Sequence, residues 1–213
     1  MKRTDTITDD LRRDILSGVF PPGDRLVELQ LTERYQCGRA TVRAALVELT
    51  TEGLVEREAN RGASVRRISV DEAIQITEAR AALESLIAAH AARHASDIER
   101  FELARIVAEM SDAVGAENTS AYSELNRRFH RRLREISGHS VAADLVANIR
   151  DRAANHQYRL ALMPGRAAQS LIEHEAIASA IGAHDEAAAS AAMDTHLRSV
   201  IEVLRRWGDA GTA

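Results

Sequence analysis

The stretch CGRATVRAAL, residues 37–46, decides how the first part of the chain folds. If these residues form a helix after Gly38, positions four apart lie on the same face, so Arg39 and Arg43 point the same way. Val42 and Leu46 then share an apolar face. A pair of arginines on a helix is either a solvated surface or a contact surface for a ligand, and the flanking sequence has to distinguish the two.

The sequence around this stretch predicts short elements that change type quickly. Apolar residues at helical spacing precede Gly18, Pro21-Pro22-Gly23 is a turn signal, and Gly53 ends the helix that carries the two arginines. The predicted elements are helices over about 5–17, 26–35 and 39–52, then strands at 54–58 and 63–67 joined by a turn at 59–62. Three helices followed by a hairpin are the outline of a winged helix-turn-helix.

Long helices replace this pattern from Ser69 onward. Residues 69–72 and 96–99 both have the form of a capping box, in which Ser and Glu satisfy unpaired amides at a helix start. The predicted helices run over about 70–94, 97–114, 119–137, 140–162, 167–182 and 185–207. We therefore predict a mainly α protein with two domains, a winged helix-turn-helix at 1–68 and an all-α antiparallel bundle of about six helices at 69–213.

Composition agrees with this fold class. Hydrophobic residues make up 45% of the 213 residues but aromatic residues only 3%, which favours helices packed through Ala, Leu, Ile and Val. No apolar run reaches the ~18 residues of a membrane span, and the N-terminus lacks the apolar core of a signal peptide. Cys37 is the one cysteine, so no internal disulfide can form, and we expect a cytoplasmic protein.

The net charge of -4 is unevenly distributed along the chain. Residues 1–70 have a balance of +1 and the remainder a balance of -5. A nearly neutral first domain can bind DNA if its arginines gather on one face.

Three of the predicted helices each place a histidine on the face that should be buried. These are His130, with Asn126 one turn before it, His174 and His196. A buried imidazole needs a partner, and three converging imidazoles suit a divalent metal. A single histidine on an apolar stripe is more often a hydrogen-bonded core residue than a metal ligand.

A rival pair, His90 and His94, is also spaced by one helical turn. It lies near a helix end, where the helix dipole favours a cationic histidine. We therefore interpret these two as structural.

The first domain resembles the winged-helix domain of GntR-type bacterial transcription regulators. The matching elements are Ile-Leu-x-Gly, Pro-Pro-Gly, Arg-Leu-x-Glu-x-x-Leu, Arg-x-x-Val-Arg-x-Ala-Leu, Leu-x-x-Glu-Gly-Leu-Val and Arg-Gly before a strand. The resemblance implies a recognition helix in the major groove and a homodimer on a pseudo-palindromic double-stranded operator. The expected DNA contacts are Arg39, Ala40, Thr41 and Arg43 on this helix, and Arg61 and Gly62 at the wing tip.

The second half is similar to the helical effector domain (FCD) of the FadR-like branch of these regulators, and its six helices resemble the VanR-type subgroup. The matching patterns are Asn126-x-x-x-His130, Glu173-His174, Asp194-Thr195-His196-Leu197 and Arg80-x-x-Leu83-Glu84. The resemblance implies Asn126, His130, His174 and His196 as ligands of a divalent ion, for which three imidazoles favour Zn or Ni.

A small organic acid as effector is the further implication of this resemblance. Arg80 and Arg134 are the candidates to bind it. Both have the alternative of a structural ion pair, for example that of Arg80 with Glu84. Our leading hypothesis is a repressor that such a ligand releases from DNA. The alternatives are a DNA-binding regulator with a purely structural metal, and a metal-dependent enzyme acting on a small organic acid.

Overall fold

Nine helices and a three-stranded sheet form the part of the chain that the computed structural model describes, residues 4–58, 62–152 and 165–210. The chain divides into two compact units, and the division falls between Ser69 and Val70. The predicted fold class is confirmed: the protein is mainly α, with a winged helix-turn-helix followed by a helical unit.

The first unit contains three helices and the sheet. Its elements are α1 (Thr4–Leu16), β1 (Arg25–Leu26), α2 (Glu28–Tyr35), α3 (Arg39–Thr51), β2 (Val55–Glu58) and β3 (Gly62–Val65). The core forms where α1 packs against α3, because apolar residues at helical spacing on both helices are almost fully buried. These residues are Ile7, Leu11, Ile15, Val42, Ala45, Leu46 and Leu49.

The wing is an antiparallel sheet with the strand order β1-β3-β2. Val55 pairs with Val65, and Leu26 of β1 pairs with Ala63. The predicted start of the second helix at Leu26 was wrong, since Arg25 and Leu26 form β1 and α2 begins at Glu28. A strand of two residues is too short to show an alternating pattern, so the sequence could not distinguish it from the start of a helix.

Gly23 allows the chain to enter β1. Its φ is +88°, a conformation that L side chains rarely adopt, and the guanidinium of Arg67 lies where a Cβ atom would stand. Its amide donates a 2.8 Å hydrogen bond to the carbonyl of Val65, next to the wing. The Pro-Pro-Gly turn thus brings the chain onto the edge of β3.

The second unit contains six helices in the described residues, and their bounds lie close to the predicted ones. They are α4 (Val70–His94), α5 (Asp97–Gly115), α6 (Thr119–Ser137), α7 (Ser140–Arg152), α8 (Arg166–Gly182) and α9 (Glu186–Ala210). The last ten residues of the predicted fourth helix, 153–162, lie outside the described residues. The predicted capping box at Ser96 and Glu99 is present, with both reciprocal hydrogen bonds.

Small side chains line much of the core of this unit. Helix α4 packs most extensively against α9, and Ala88, Ala91, Ala92 and Ala189 are fully buried. Phe129 on α6 is the largest fully buried side chain. None of the helices in the described ranges combines the length and apolar character that a membrane crossing needs.

Candidate functional site

Three histidine side chains from three helices meet inside the second unit. His130 lies on α6, His174 on α8 and His196 on α9, and all three are buried. One ring nitrogen of each lies within 4.8 Å of those of the other two. The ring centroids are 5.3 Å apart for His130 and His174, 5.4 Å for His130 and His196, and 4.6 Å for His174 and His196. Among the described residues, this is the one group of His, Cys, Asp or Glu side chains close enough to share an ion.

Nδ1 of each of these imidazoles lies within 3.0 Å of an oxygen atom. Carbonyl and ionised carboxylate oxygens only accept hydrogen bonds, so the hydrogen bonds of His174 and His196 favour the tautomer with the proton on Nδ1 and the lone pair on Nε2. The three contacts are 2.6 Å from His174 to the backbone oxygen of Ser170, 2.8 Å from His196 to Oε2 of Glu173, and 3.0 Å from His130 to Oε2 of Glu84.

Two of the inner nitrogens lie close to each other. Nε2 of His130 is 3.2 Å from Nε2 of His174, and two lone pairs at this distance repel each other unless a cation or a proton lies with them. Burial and the nearby His196 and His130 hold the pKa of His174 well below its ordinary value. Burial also lowers the pKa of His196, in spite of the hydrogen bond to Glu173. Three buried imidazoles that meet in this way are a donor set that fits a divalent transition metal.

Asn126 lies one helical turn before His130 on α6. Its Oδ1 atom is buried and has no hydrogen-bond partner among the described residues. Such an oxygen is costly to bury unless an ion, a water molecule or a ligand satisfies it. The side chain therefore has the free acceptor that a fourth protein ligand requires.

Glu84 and Arg80 form an ion pair beside this cluster. Nε of Arg80 donates to Oε1 of Glu84 at 2.7 Å, and both side chains are buried. This is the pairing that the sequence offered as the alternative to effector binding by Arg80. This ion pair leaves Oε2 of Glu84 available to His130. The Arg80–Glu84 pair therefore orients one of the side chains that the sequence predicted to bind a metal ion.

Glu173 is a second orienting carboxylate, and sequence reasoning assigned it no role. It accepts hydrogen bonds from Nη1 and Nη2 of the buried Arg166 at 3.3 and 3.1 Å, while its Oε2 contacts His196. Burial raises the pKa of Glu173, but hydrogen bonds from His196, Arg166 and Ser199 outweigh burial and hold this pKa at about 2. The carboxylate is therefore ionised at neutral pH.

Arg134, the second predicted effector-binding residue, lies one turn beyond His130. Its Nη1 is buried and has no hydrogen-bond partner among the described residues. Burial lowers the pKa of Arg134, and Arg80 lowers it further, whereas Glu84 raises it. The guanidinium of Arg134 therefore lies within electrostatic range of both Arg80 and Glu84, and its Nη1 is available as a hydrogen-bond donor.

Phe129 packs against the histidine cluster from one side. Its ring lies 5.0 Å from the ring of His174 and 5.9 Å from that of His130, edge to face in both cases. These contacts restrict the rotation of two of the three imidazoles.

The rival pair His90 and His94 lacks the same geometry. Their ring centroids are 5.8 Å apart, and His139 packs against His90 at 5.0 Å. Nδ1 of His139 accepts a hydrogen bond from the backbone amide of Ala142, so this nitrogen has no lone pair left for an ion. Within the described residues, these three histidines do not form a group that could share an ion.

The predicted recognition helix is amphipathic in the structure. On α3, Arg39, Ala40 and Arg43 are exposed and Thr41 is half-buried, whereas Val42 faces the core. The helix begins at Arg39, so both arginines belong to its first two turns. Gly62 is exposed at the start of β3 with a φ of +87°, and Arg61 lies outside the described residues.

Replacing Glu173 by Gln should destabilise the second unit, because Arg166 would keep a buried charge without its carboxylate partner. Breaking a buried ion pair costs about 3–5 kcal/mol. We expect the free energy of unfolding to fall by about 3 kcal/mol, as measured by urea denaturation in the presence of a chelator. Glu175→Gln is the matched control, since Glu175 is exposed on the same helix. Equal losses in the two variants would contradict the assignment.

Several proteins resemble the chain over most of its length. The HTH-type transcriptional repressor RspR of Escherichia coli K12 is 27% identical over 196 residues, which cover 92% of this chain and 86% of RspR. The HTH-type transcriptional regulator BphR of Paraburkholderia xenovorans is 30% identical over 208 residues, covering 93% and 83%. The HTH-type transcriptional repressor NanR of Escherichia coli is 27% identical over 234 residues, covering 97% and 86%.

Solved structures show the same fold. Escherichia coli McbR/YncC superposes with a TM-score of 0.82 at 18% identity and covers 97% of this chain and 99% of its own. A GntR regulator from Rhodococcus sp. RHA1 gives a TM-score of 0.79 at 22% identity, covering 94% and 96%.

Two protein families match the chain in succession. The gntR family of bacterial regulatory proteins matches residues 3–65, and the FCD domain matches residues 75–199, more than half of the chain. The three relatives named above and the Rhodococcus protein are described as transcription regulators and not as enzymes. The chain therefore belongs to the GntR family of bacterial transcription regulators, with a winged helix-turn-helix followed by an FCD domain.

Proposed function

We propose that this protein is a cytoplasmic repressor of the VanR-type subgroup, and that a small carboxylate metabolite bound at a divalent metal ion in the FCD domain releases it from its operator. The observation that carries the proposal is the group of three buried imidazoles, each with one ring nitrogen within 4.8 Å of those of the other two, while the Nδ1 atoms contact oxygen atoms of the surrounding helices. This arrangement leaves the inner lone pairs for an ion.

The exposed face of α3 is the part of the protein that would contact DNA. Arg39 and Arg43 are exposed there, and the small Ala40 between them allows a close approach to the groove. An arginine can donate two hydrogen bonds to O6 and N7 of guanine, or bind phosphate. Thr41 and Gly62 would contribute backbone or methyl contacts, and a homodimer would read a pseudo-palindrome with two copies of this face.

His130, His174 and His196 would hold the ion, and the unpaired Oδ1 of Asn126 is the fourth candidate ligand. Imidazole donors favour Zn or Ni over the harder cations. When bound, the ion supplies a Lewis acid to which a carboxylate oxygen can coordinate. Glu84 and Glu173 keep the imidazoles in the tautomer that exposes Nε2.

The charges around the cluster favour an anionic ligand. Arg80 pairs with Glu84 and Arg166 pairs with Glu173, so the four buried charges cancel one another. Neutral imidazoles add no charge, and a divalent ion would therefore bring an excess of positive charge into a buried site. A carboxylate compensates this excess, and the free Nη1 of Arg134 can donate to it.

Release from DNA requires that the ligand bind one state of the homodimer better than another. A ligand shifts such an equilibrium only by its difference in affinity for the two states. We propose that the carboxylate favours the state with the lower operator affinity, so that transcription rises when the metabolite accumulates. The repressors RspR and NanR among the relatives support repression as the basal role.

A purely structural metal is the second candidate. Burial of all three imidazoles favours it, because a closed site needs no exchangeable ligand. DNA binding would then be independent of small carboxylates.

Arg39→Ala and Arg43→Ala should each weaken binding to the operator selectively. A bidentate arginine–guanine contact contributes about 1–3 kcal/mol of discrimination, so we expect a loss of roughly tenfold or more in fluorescence anisotropy with a duplex selected by the wild-type protein. Arg13→Ala, at an exposed position of α1, serves as the control. Operator binding equal to wild type in both α3 variants would disprove the assignment of the recognition helix.

His174→Ala should abolish stoichiometric metal binding. The wild-type protein, dialysed against Zn or Ni and analysed by elemental mass spectrometry, should retain about one ion per chain. His94→Ala removes an exposed histidine and should retain the same amount. Because His174 is fully buried, circular dichroism checks the fold, and His130→Gln provides a second variant with a smaller change in volume. Unchanged metal content in both site variants would refute the proposed centre.

A carboxylate effector should stabilise the metal-loaded protein only. We expect a rise in Tm in a thermal-shift screen of mono- and dicarboxylates after metal loading, and no rise after chelation. Arg134→Gln should reduce this rise, whereas Arg131→Gln, at an exposed position of α6, should not. Stabilisation that persists without metal, or no response to any acid in the loaded protein, would favour the structural role.

A further inference from the structure

We propose that Tyr122 is a specificity-determining residue of the effector site, and that the effector is a hydroxy acid whose hydroxyl group lies at the end of the molecule away from the carboxylate. The inference rests on the proposed function, because it concerns the same ligand. It names a feature of that ligand which neither the ion nor Arg134 selects.

Four polar residues follow one another at intervals of four positions along α6. They are Tyr122, Asn126, His130 and Arg134. Residues four apart lie on the same face of a helix, so these side chains form a row that passes the histidine cluster. Arg134 lies one turn beyond His130 in this row, and Tyr122 lies two turns before it.

Buried polar atoms without a hydrogen bond of ordinary geometry are concentrated in this row. Within the described residues, Oη of Tyr122, Oδ1 of Asn126 and Nη1 of Arg134 are such atoms. Ser85 and Arg100, on other helices, also have one each. Burying a polar atom without a partner costs free energy, so proteins rarely do it. Three such atoms on one face of one helix therefore indicate a polar ligand that lies along this face.

The proposed ion and carboxylate account for two of these three atoms. Oδ1 of Asn126 is a candidate ligand of the ion, and Nη1 of Arg134 can donate to the carboxylate. The hydroxyl of Tyr122 remains, and in the row it lies on the other side of His130 from Arg134. A ligand whose carboxylate lies between the ion and Arg134 would meet Tyr122 with its far end.

Tyr122 is close to the histidine cluster through Ser170 of α8. The side chain of Tyr122 is 3% exposed. Burial raises the pKa of Tyr122 and the hydroxyl of Ser170 lowers it, so the two hydroxyls are neighbours. The backbone oxygen of Ser170 also contacts Nδ1 of His174 at 2.6 Å. The hydroxyl of Tyr122 is thus only one residue away from an imidazole of the proposed metal site.

A hydroxyl is the ligand group that fits Tyr122 best. A neutral phenol both donates and accepts a hydrogen bond, and a ligand hydroxyl can do the same. A second carboxylate would need a cation at this end, but Arg166, the arginine that influences Tyr122, is already paired with Glu173. An apolar chain end would leave Oη of Tyr122 buried and unpaired.

The test measures the affinity of the full-length, Zn-loaded protein for pairs of acids by isothermal titration calorimetry. The pairs are the straight-chain acids from propionate to hexanoate, each with its analogue hydroxylated on the last carbon, so the carboxylate is common to both members. For at least one chain length we expect the hydroxylated acid to bind about tenfold more tightly or better, because the unsubstituted acid leaves Oη of Tyr122 unpaired.

Tyr122→Phe removes the hydroxyl and keeps the ring. In this variant both members of each pair should bind equally, with the affinity that wild type has for the unsubstituted acid. The free energy of unfolding of the ligand-free, chelated protein should equal that of wild type or exceed it, because the lost hydroxyl has no hydrogen bond of ordinary geometry. Tyr35→Phe is the matched control. Oη of Tyr35 donates to Oδ2 of Asp14 at 2.8 Å, so its removal should lower the free energy of unfolding and leave the preference for hydroxylated acids unchanged.

Two outcomes overturn the inference alone. One is binding of the unsubstituted acids by wild type with no preference for any hydroxylated analogue. The other is a preference that Tyr122→Phe retains, together with a lower free energy of unfolding or without it, since the hydroxyl would then serve the fold or nothing. If the loaded wild-type protein binds no acid of either kind, the proposed function fails and this inference fails with it.

Discussion

The contact between Nδ1 of each buried imidazole and an oxygen atom is the constraint on which the second unit depends. A neutral histidine has one donor and one acceptor, and the choice of donor fixes where the lone pair points. The oxygen atoms on the Nδ1 side belong to Ser170 for His174, to Glu173 for His196 and to Glu84 for His130. Because each acceptor lies on a helix of the core, helix packing orients the three imidazoles.

Both orienting carboxylates are themselves neutralised by arginines. An unpaired carboxylate in such surroundings would be costly to ionise, and Arg80 and Arg166 remove this cost. The network therefore extends outward from the imidazoles through carboxylates to guanidinium groups on α4 and α8. Phe129 closes one side with an apolar edge, which keeps the polar groups of the network together.

Hydrophobic periodicity predicted the helices and the burial of the three histidines well. A histidine within the apolar stripe of a helix indicates a buried polar side chain that needs a partner. His130, His174 and His196 could be selected in this way. The roles of Glu84 and Glu173 could not, since their contacts with His130 and His196 join side chains of different helices. Arg166 gave no signal, because it stands at a helix start, where a charged residue is ordinary. The ion pair between Glu28 at the start of α2 and Arg43 on α3, 2.8 Å between Oε2 and Nε, was equally inaccessible. Periodicity shows which face of a helix a residue occupies but not which side chain of another helix it contacts.

The three histidines are far apart in the chain, with His130 and His174 separated by 44 positions. An ion shared between them would act as a cross-link that closes long loops, and such closures lower the entropy of the unfolded chain. Loss of the ion would then do more than change a binding site: it would increase the population of opened chains that cellular proteases attack. The supply of metal in the cell would in this way set how long each copy of the protein survives.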